Sequence, residues 1–160
     1  MQLTSYTDYA LRVLIYLAGI SGRQATITEI ADFFNISRNH LVKVVQKLGE
    51  RGFIKTTRGK GGGLILQRPA ETIIVGDVVR AMETHFNWVE CFNPEQQLCR
   101  YLPDCRLKQL LARAGNAYLQ VLDASTLADL AASKATFPPK REDSSENVKQ
   151  RILSVKLDFE

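Results

Sequence analysis

The chain reads as a mainly α-helical winged helix-turn-helix with a small β-hairpin wing, followed by a long helix suited to dimerisation. Three observations predict it. A short amphipathic helix, a tight turn and a second amphipathic helix with a polar first turn fall between residues 26 and 52. Two β-type runs then flank the glycine-rich segment RGKGGG. Further on, an unbroken apolar stripe runs from about residue 105 to 124.

The first helix is expected over 7–18, where Ala10, Val13, Leu14 and Leu17 fall at helical spacing. Thr7 is the expected N-cap, Asp8 suits the positive end of the helix dipole, and Gly19 and Gly22 stop the run. TITEIADFF follows, capped at Thr26 or Thr28 and packing through Ile27, Ile30, Ala31 and Phe34. NIS is the turn. The next helix is capped by Ser37 and buries Leu41, Val44, Val45 and Leu48. Arg38, Asn39 and His40 precede its first buried residue, so they project from the end that enters a DNA major groove, with Lys43 one turn on.

FIKTT and LILQ are expected strands around RGKGGG. Three successive glycines permit a tight hairpin tip. Arg58 and Lys60 sit there, where a wing reaches the sugar-phosphate backbone or the minor groove. Residues 74–83 form a short helix on Val75, Val78, Val79 and Met82, and 84–104 lack any period and read as a loop. The long helix carries Leu107, Leu110, Leu111, Ala114, Tyr118, Val121 and Leu122 on one stripe, which suits a two-fold dimer reading two half-sites. A last helix over 126–133 opens at Thr126 and buries Leu127 and Leu130. The expected organisation is a DNA-binding domain over 1–83, a cysteine loop over 84–105, dimerisation helices over 106–133, and a polar tail over 134–160.

Charge supports the division. Residues 1–68 carry ten Lys/Arg and four Asp/Glu, a net +6, while 69–160 carry eleven and thirteen, a net −2. A basic excess confined to one half suits a polyanionic partner, double-stranded DNA. No apolar run approaches the roughly 20 residues needed to span a bilayer, and the start of the chain lacks a signal-peptide pattern, so a cytoplasmic protein without membrane contact is expected. No Ser/His/Asp arrangement, HExxH or phosphate loop leading into a helix occurs, which argues against an enzyme.

All three cysteines, Cys91, Cys99 and Cys105, lie in one polar loop as C-x7-C-x5-C. Structural zinc sites use shorter knuckles. An iron–sulfur cluster accepts thiolates farther apart, and three thiolates leave a fourth position for another donor. His85, Glu90, Asp104 and, across a dimer, Asp8 are candidates. A zinc-stabilised structural or redox protein remains the alternative on spacing alone.

MQLTSYTDYALRVLIYLA, ISRNHLVKVVQKL, RGKGGGLIL and CRLKQ together resemble the Rrf2 family of bacterial winged-helix regulators, in order over roughly residues 1–133. Within the family the likeness is to its nitric-oxide-sensing repressors. The resemblance implies a homodimer holding a cluster, [4Fe–4S] in preference to [2Fe–2S], on Cys91, Cys99 and Cys105. It implies the partner's Asp8 as fourth ligand, and an Asp8–Arg12 pair when no cluster is bound. Lys108 stands where histidine-using relatives place their ligand. The implied function is repression of nitric-oxide detoxification genes at a palindromic operator, relieved by nitric oxide. Sensing of iron–sulfur or redox status is the alternative within the family.

Overall fold

The computed structural model describes residues 3–20, 22–57, 59, 62–93, 95, 99–102 and 104–132. The wing-tip residues Arg58 and Lys60 and the tail from residue 134 lie outside the described residues.

Helix α1, Ser5–Gly19, begins two residues before the expected start at residue 7. Thr4 is the N-cap, and its hydroxyl accepts the Thr7 N–H at 3.3 Å. Thr7, the expected cap, is instead fully buried. The two threonines sit three residues apart at the same helix start, and only packing distinguishes them. Thr4 is also tied across the fold, because its N–H and hydroxyl both donate to Glu83 Oε1, at 2.9 and 3.0 Å.

Helix α2, Ile27–Phe34, is capped by Thr26, whose hydroxyl accepts the Glu29 N–H at 3.1 Å. It ends at Asn35, held in the left-handed conformation at φ 52°, which asparagine tolerates better than most residues. Helix α3, Arg38–Glu50, starts two residues after Ile36, whose N–H bonds the Ala31 carbonyl at 2.9 Å. Ala10, Val13, Leu14 and Tyr16 of α1 meet Ile30 of α2 and Leu41, Val44 and Leu48 of α3, all fully buried. Each such aliphatic contributes about 1.5–3 kcal/mol relative to exposure.

Strands β1, Ile54–Thr56, and β2, Leu64–Leu66, pair antiparallel with Ile54 opposite Leu66. Ala25 bridges Leu64 on the other side, so the hairpin is anchored to the chain entering α2. Two glycines of the hairpin have separate duties. Gly59 adopts φ +97°, whereas at Gly63 a Cβ would sit 2.8 Å from the Ala25 carbonyl oxygen. The close approach of Ala25, not turn geometry alone, calls for glycine at 63.

Helix α4, Val75–Met82, leads into the loop, where Glu90–Phe92 form one 3-10 turn. Helix α5 spans Arg106–Asp123 and α6 spans Leu127–Ala131, with a capping box between Thr126 and Asp129. Helix α6 packs on α1. Its Leu127 is fully buried in the winged-helix core, and the Leu127 N–H bonds the Ile73 carbonyl at 2.8 Å. Helix α5 is the opposite case. None of its residues is buried, and Leu107, Leu110 and Val121 are 61, 52 and 69% exposed. It is held by a forked ion pair from Arg80 of α4 to Asp123, at 2.6 and 2.7 Å, and by Trp88 lying on Gly115.

Candidate nucleic-acid interface and cysteine loop

The apolar period of α3 turns Leu41, Val44, Val45 and Leu48 into the core and leaves Ser37, Arg38, Asn39, His40, Val42, Lys43 and Gln46 exposed. Ser37 occupies the N-cap with no capping hydrogen bond from its side chain. Its hydroxyl therefore lies at the positive end of the helix, a favourable place to meet a phosphate. All five residues expected to face DNA from this helix, Ser37, Arg38, Asn39, His40 and Lys43, share the exposed surface of its first two turns.

Helix α1 fixes that surface. The Tyr6 hydroxyl donates to the Lys43 carbonyl at 2.7 Å, and Tyr9 stacks near His40 with centroids 6.4 Å apart and planes 21° apart. Neither tyrosine was marked by the apolar stripe of α1. The signal available was their i, i+3 spacing on one side of a helix. Beside α3, a cleft of about 660 Å³ opens toward the wing, with Arg38, Val42 and Gln46 on one wall and Thr56 and Thr57 on the other. Val42 and Gln46 are the further residues on this face that the sequence reading did not single out.

The three cysteines occupy different local settings. Cys91 lies in the 3-10 turn, Cys99 is exposed, and Cys105 is the N-cap of α5. None is in a disulfide. The Cys105 Sγ accepts the Lys108 N–H at 3.4 Å. Among the described residues, no three His, Cys, Asp or Glu side chains converge to hold one metal ion. The donor set suits a multi-iron cluster in its chemistry. Nor is a four-ligand zinc site formed among the described residues.

His85, Glu90 and Asp104 are all exposed. Asp8 is paired with Arg12, whose Nε and second guanidinium nitrogen reach the two carboxylate oxygens at 3.0 and 2.9 Å. Arg12 also lies over the Phe34 ring at 5.9 Å. Glu83, where α4 meets the loop, feels opposing effects. Burial raises its carboxyl, hydrogen bonds from Thr7 and Thr4 outweigh that, and the net result is a value below the usual carboxylate range.

The Rrf2 family model, described as an iron-dependent transcriptional regulator, matches residues 3–133. The chain is 50% identical over 135 residues to the HTH-type transcriptional regulator NsrR of Bacillus subtilis, covering 84% of this chain and 92% of that one. It is 49% identical over 131 residues to NsrR of Bacillus licheniformis, covering 81% and 92%. Among solved structures it is similar to CymR (YrzC), the global cysteine regulator of B. subtilis, at 30% identity and TM-score 0.68, covering 82% and 96%. No helix among the described residues is long and apolar enough to cross a membrane. Its relatives are regulators of transcription, a non-enzymatic role, matched along nearly the whole described chain, and the chain belongs to the Rrf2 family of DNA-binding transcriptional regulators.

Proposed function

We propose that this chain is a homodimeric repressor that binds a palindromic operator while holding an iron–sulfur cluster, [4Fe–4S] in preference to [2Fe–2S], and releases the operator in response to nitric oxide. The genes so controlled are those of nitric-oxide detoxification. The observation that carries the reading is the position of the three thiols. All lie on a single loop that runs into α5, with Cys105 as the cap of that helix. The family's description as iron-dependent and the 50% identity to NsrR of B. subtilis support it.

Cys91, Cys99 and Cys105 would hold the cluster, with the partner subunit's Asp8 as the oxygen ligand. When bound, the group would supply iron with one non-thiolate ligand that a diatomic molecule could displace. The rest is the work of the chain's own residues. The exposed Leu107, Leu110 and Val121 of α5 supply an apolar stripe for a second copy. Asp8 sits on the same stretch of α1 as Tyr6 and Tyr9, which hold the Lys43 carbonyl and His40 of α3. A pull on Asp8 is therefore applied within one helical turn of the contacts that aim the recognition helix. Arg12 competes for Asp8, but an exposed i, i+4 pair contributes only about 0.3–0.5 kcal/mol, so Asp8 would leave it for a metal at little cost. Switching a dimer from 99% competent to 1% needs about 5.5 kcal/mol of differential stabilisation, beyond any surface pair and within reach of metal ligation. Arg58 and Lys60 are assigned to backbone phosphates and Arg38, Asn39, His40, Lys43 and Ser37 to the groove.

Iron or redox status as the signal is the second reading, favoured by the family's description as iron-dependent. The test is a titration of anaerobically purified full-length protein with nitric oxide, following visible absorbance and operator binding together. Both are expected to be lost in step. A Cys91/Cys99/Cys105 triple alanine variant that binds its operator like the parent, with nitric oxide indifferent in both, would refute the reading. Release by iron chelation but not by nitric oxide would favour the second one.

A further inference from the structure

We propose that Val42 reads operator sequence by seating the C5-methyl group of a thymine in each half-site. The inference rests on the operator-binding reading and deepens it. Val42 is 40% exposed, while Val44 and Val45 of the same helix are buried. It stands one turn from Arg38 and one turn from Gln46, so the three form a single stripe at i, i+4 and i+8 along α3. That stripe lines the cleft facing Thr56 and Thr57 of the wing, on the side a winged helix presents to DNA.

Arg38 and Gln46 carry donors suited to base edges or phosphates. Val42 carries neither donor nor acceptor, so it cannot read a base by hydrogen bonding. The one apolar group that any base pair offers in the major groove is the thymine methyl. A lone surface aliphatic ordinarily calls for no explanation. This one interrupts an otherwise polar face, between two residues with base-reading chemistry, on the helix that enters the groove. Covering it with a methyl group removes both apolar surfaces from water.

The test uses the full-length protein and an operator duplex selected by it from random-sequence duplexes. Each thymine is replaced singly by deoxyuridine, which lacks only the methyl group. One symmetry-related position per half-site should lose about fourfold in affinity, the value of one methyl taken out of water. Val42→Ala should bind the thymine operator more weakly by a similar factor and become indifferent to deoxyuridine at that position alone, with penalties elsewhere retained. Its thermal midpoint and its affinity for random-sequence DNA should match the parent's, which separates lost reading from misfolding. A parental scan with no responsive position, or a Val42→Ala protein that keeps the same penalty, overturns the proposal and leaves operator binding standing. A selection that enriches no sequence overturns both.

Discussion

Gly115→Ala tests how the cysteine loop is attached to α5. A Cβ on Gly115 would lie 2.8, 3.1 and 3.2 Å from three carbons of the Trp88 ring. Carbon atoms pack at about 3.5–4.0 Å, so the indole must retreat by about 0.7 Å or more. Trp88 also meets Tyr118 edge-on at 6.2 Å, a contact worth about 0.5–1.5 kcal/mol. Against these losses, alanine in a helix interior gains about 0.8–1.0 kcal/mol over glycine. The two effects nearly offset, and the expected change in unfolding free energy is within about 0.5 kcal/mol. The displaced ring is the visible consequence. Trp88 is the single tryptophan of the chain, so its emission should shift to the red and quench more readily with acrylamide. It lies three residues before Cys91, so the anchor of the proposed ligand loop should loosen with it. A variant stabilised by the full helix gain of about 1 kcal/mol, with unchanged tryptophan emission, would refute the packing argument.

Other substitutions separate folding from function. Tyr6→Phe removes the hydroxyl that serves the Lys43 carbonyl and should cost about 0.5–1.5 kcal/mol in thermal unfolding, with a parallel fall in operator affinity. Asp8→Ala should change the stability of the cluster-free protein by no more than about 0.5 kcal/mol, yet impair nitric-oxide-responsive DNA binding; a loss of several kcal/mol on urea denaturation would contradict the exposed pairing described. Leu41→Ala, at a fully buried position, should cost about 2–5 kcal/mol by the same denaturation. Glu83 has a folded-state value below its ordinary value near 4.5, so its stabilisation is present above about pH 4.5 and fades as pH falls through the folded value. Glu83→Gln should therefore flatten the acid limb of a melting-temperature profile, and an unchanged limb would remove Glu83 from the account.

The helix-turn-helix, the hairpin and α5 were legible because each rests on local periodicity. Leu41, Val44, Val45 and Leu48 can share a face only in a helix of 3.6 residues per turn, and that arithmetic also leaves Arg38, Asn39 and Lys43 outside. The cysteine loop was legible as composition, three thiols in fifteen residues, but not as geometry, since no period links Cys91, Cys99 and Cys105. What the structure alone decided are contacts between residues distant in sequence. Thr4 and not Thr7 caps α1, because Glu83, 79 residues away, anchors Thr4 while the core takes Thr7. Helix α6 joins the winged-helix core, because Leu127 meets Ile73 and α1. Tyr6 and Tyr9 joined the exposed surface of α3 only when α1 was laid against that helix. Backbone propensity and side-chain period act over a few residues and can be read along the chain, whereas these pairings depend on how finished helices share buried surface, which no local window contains.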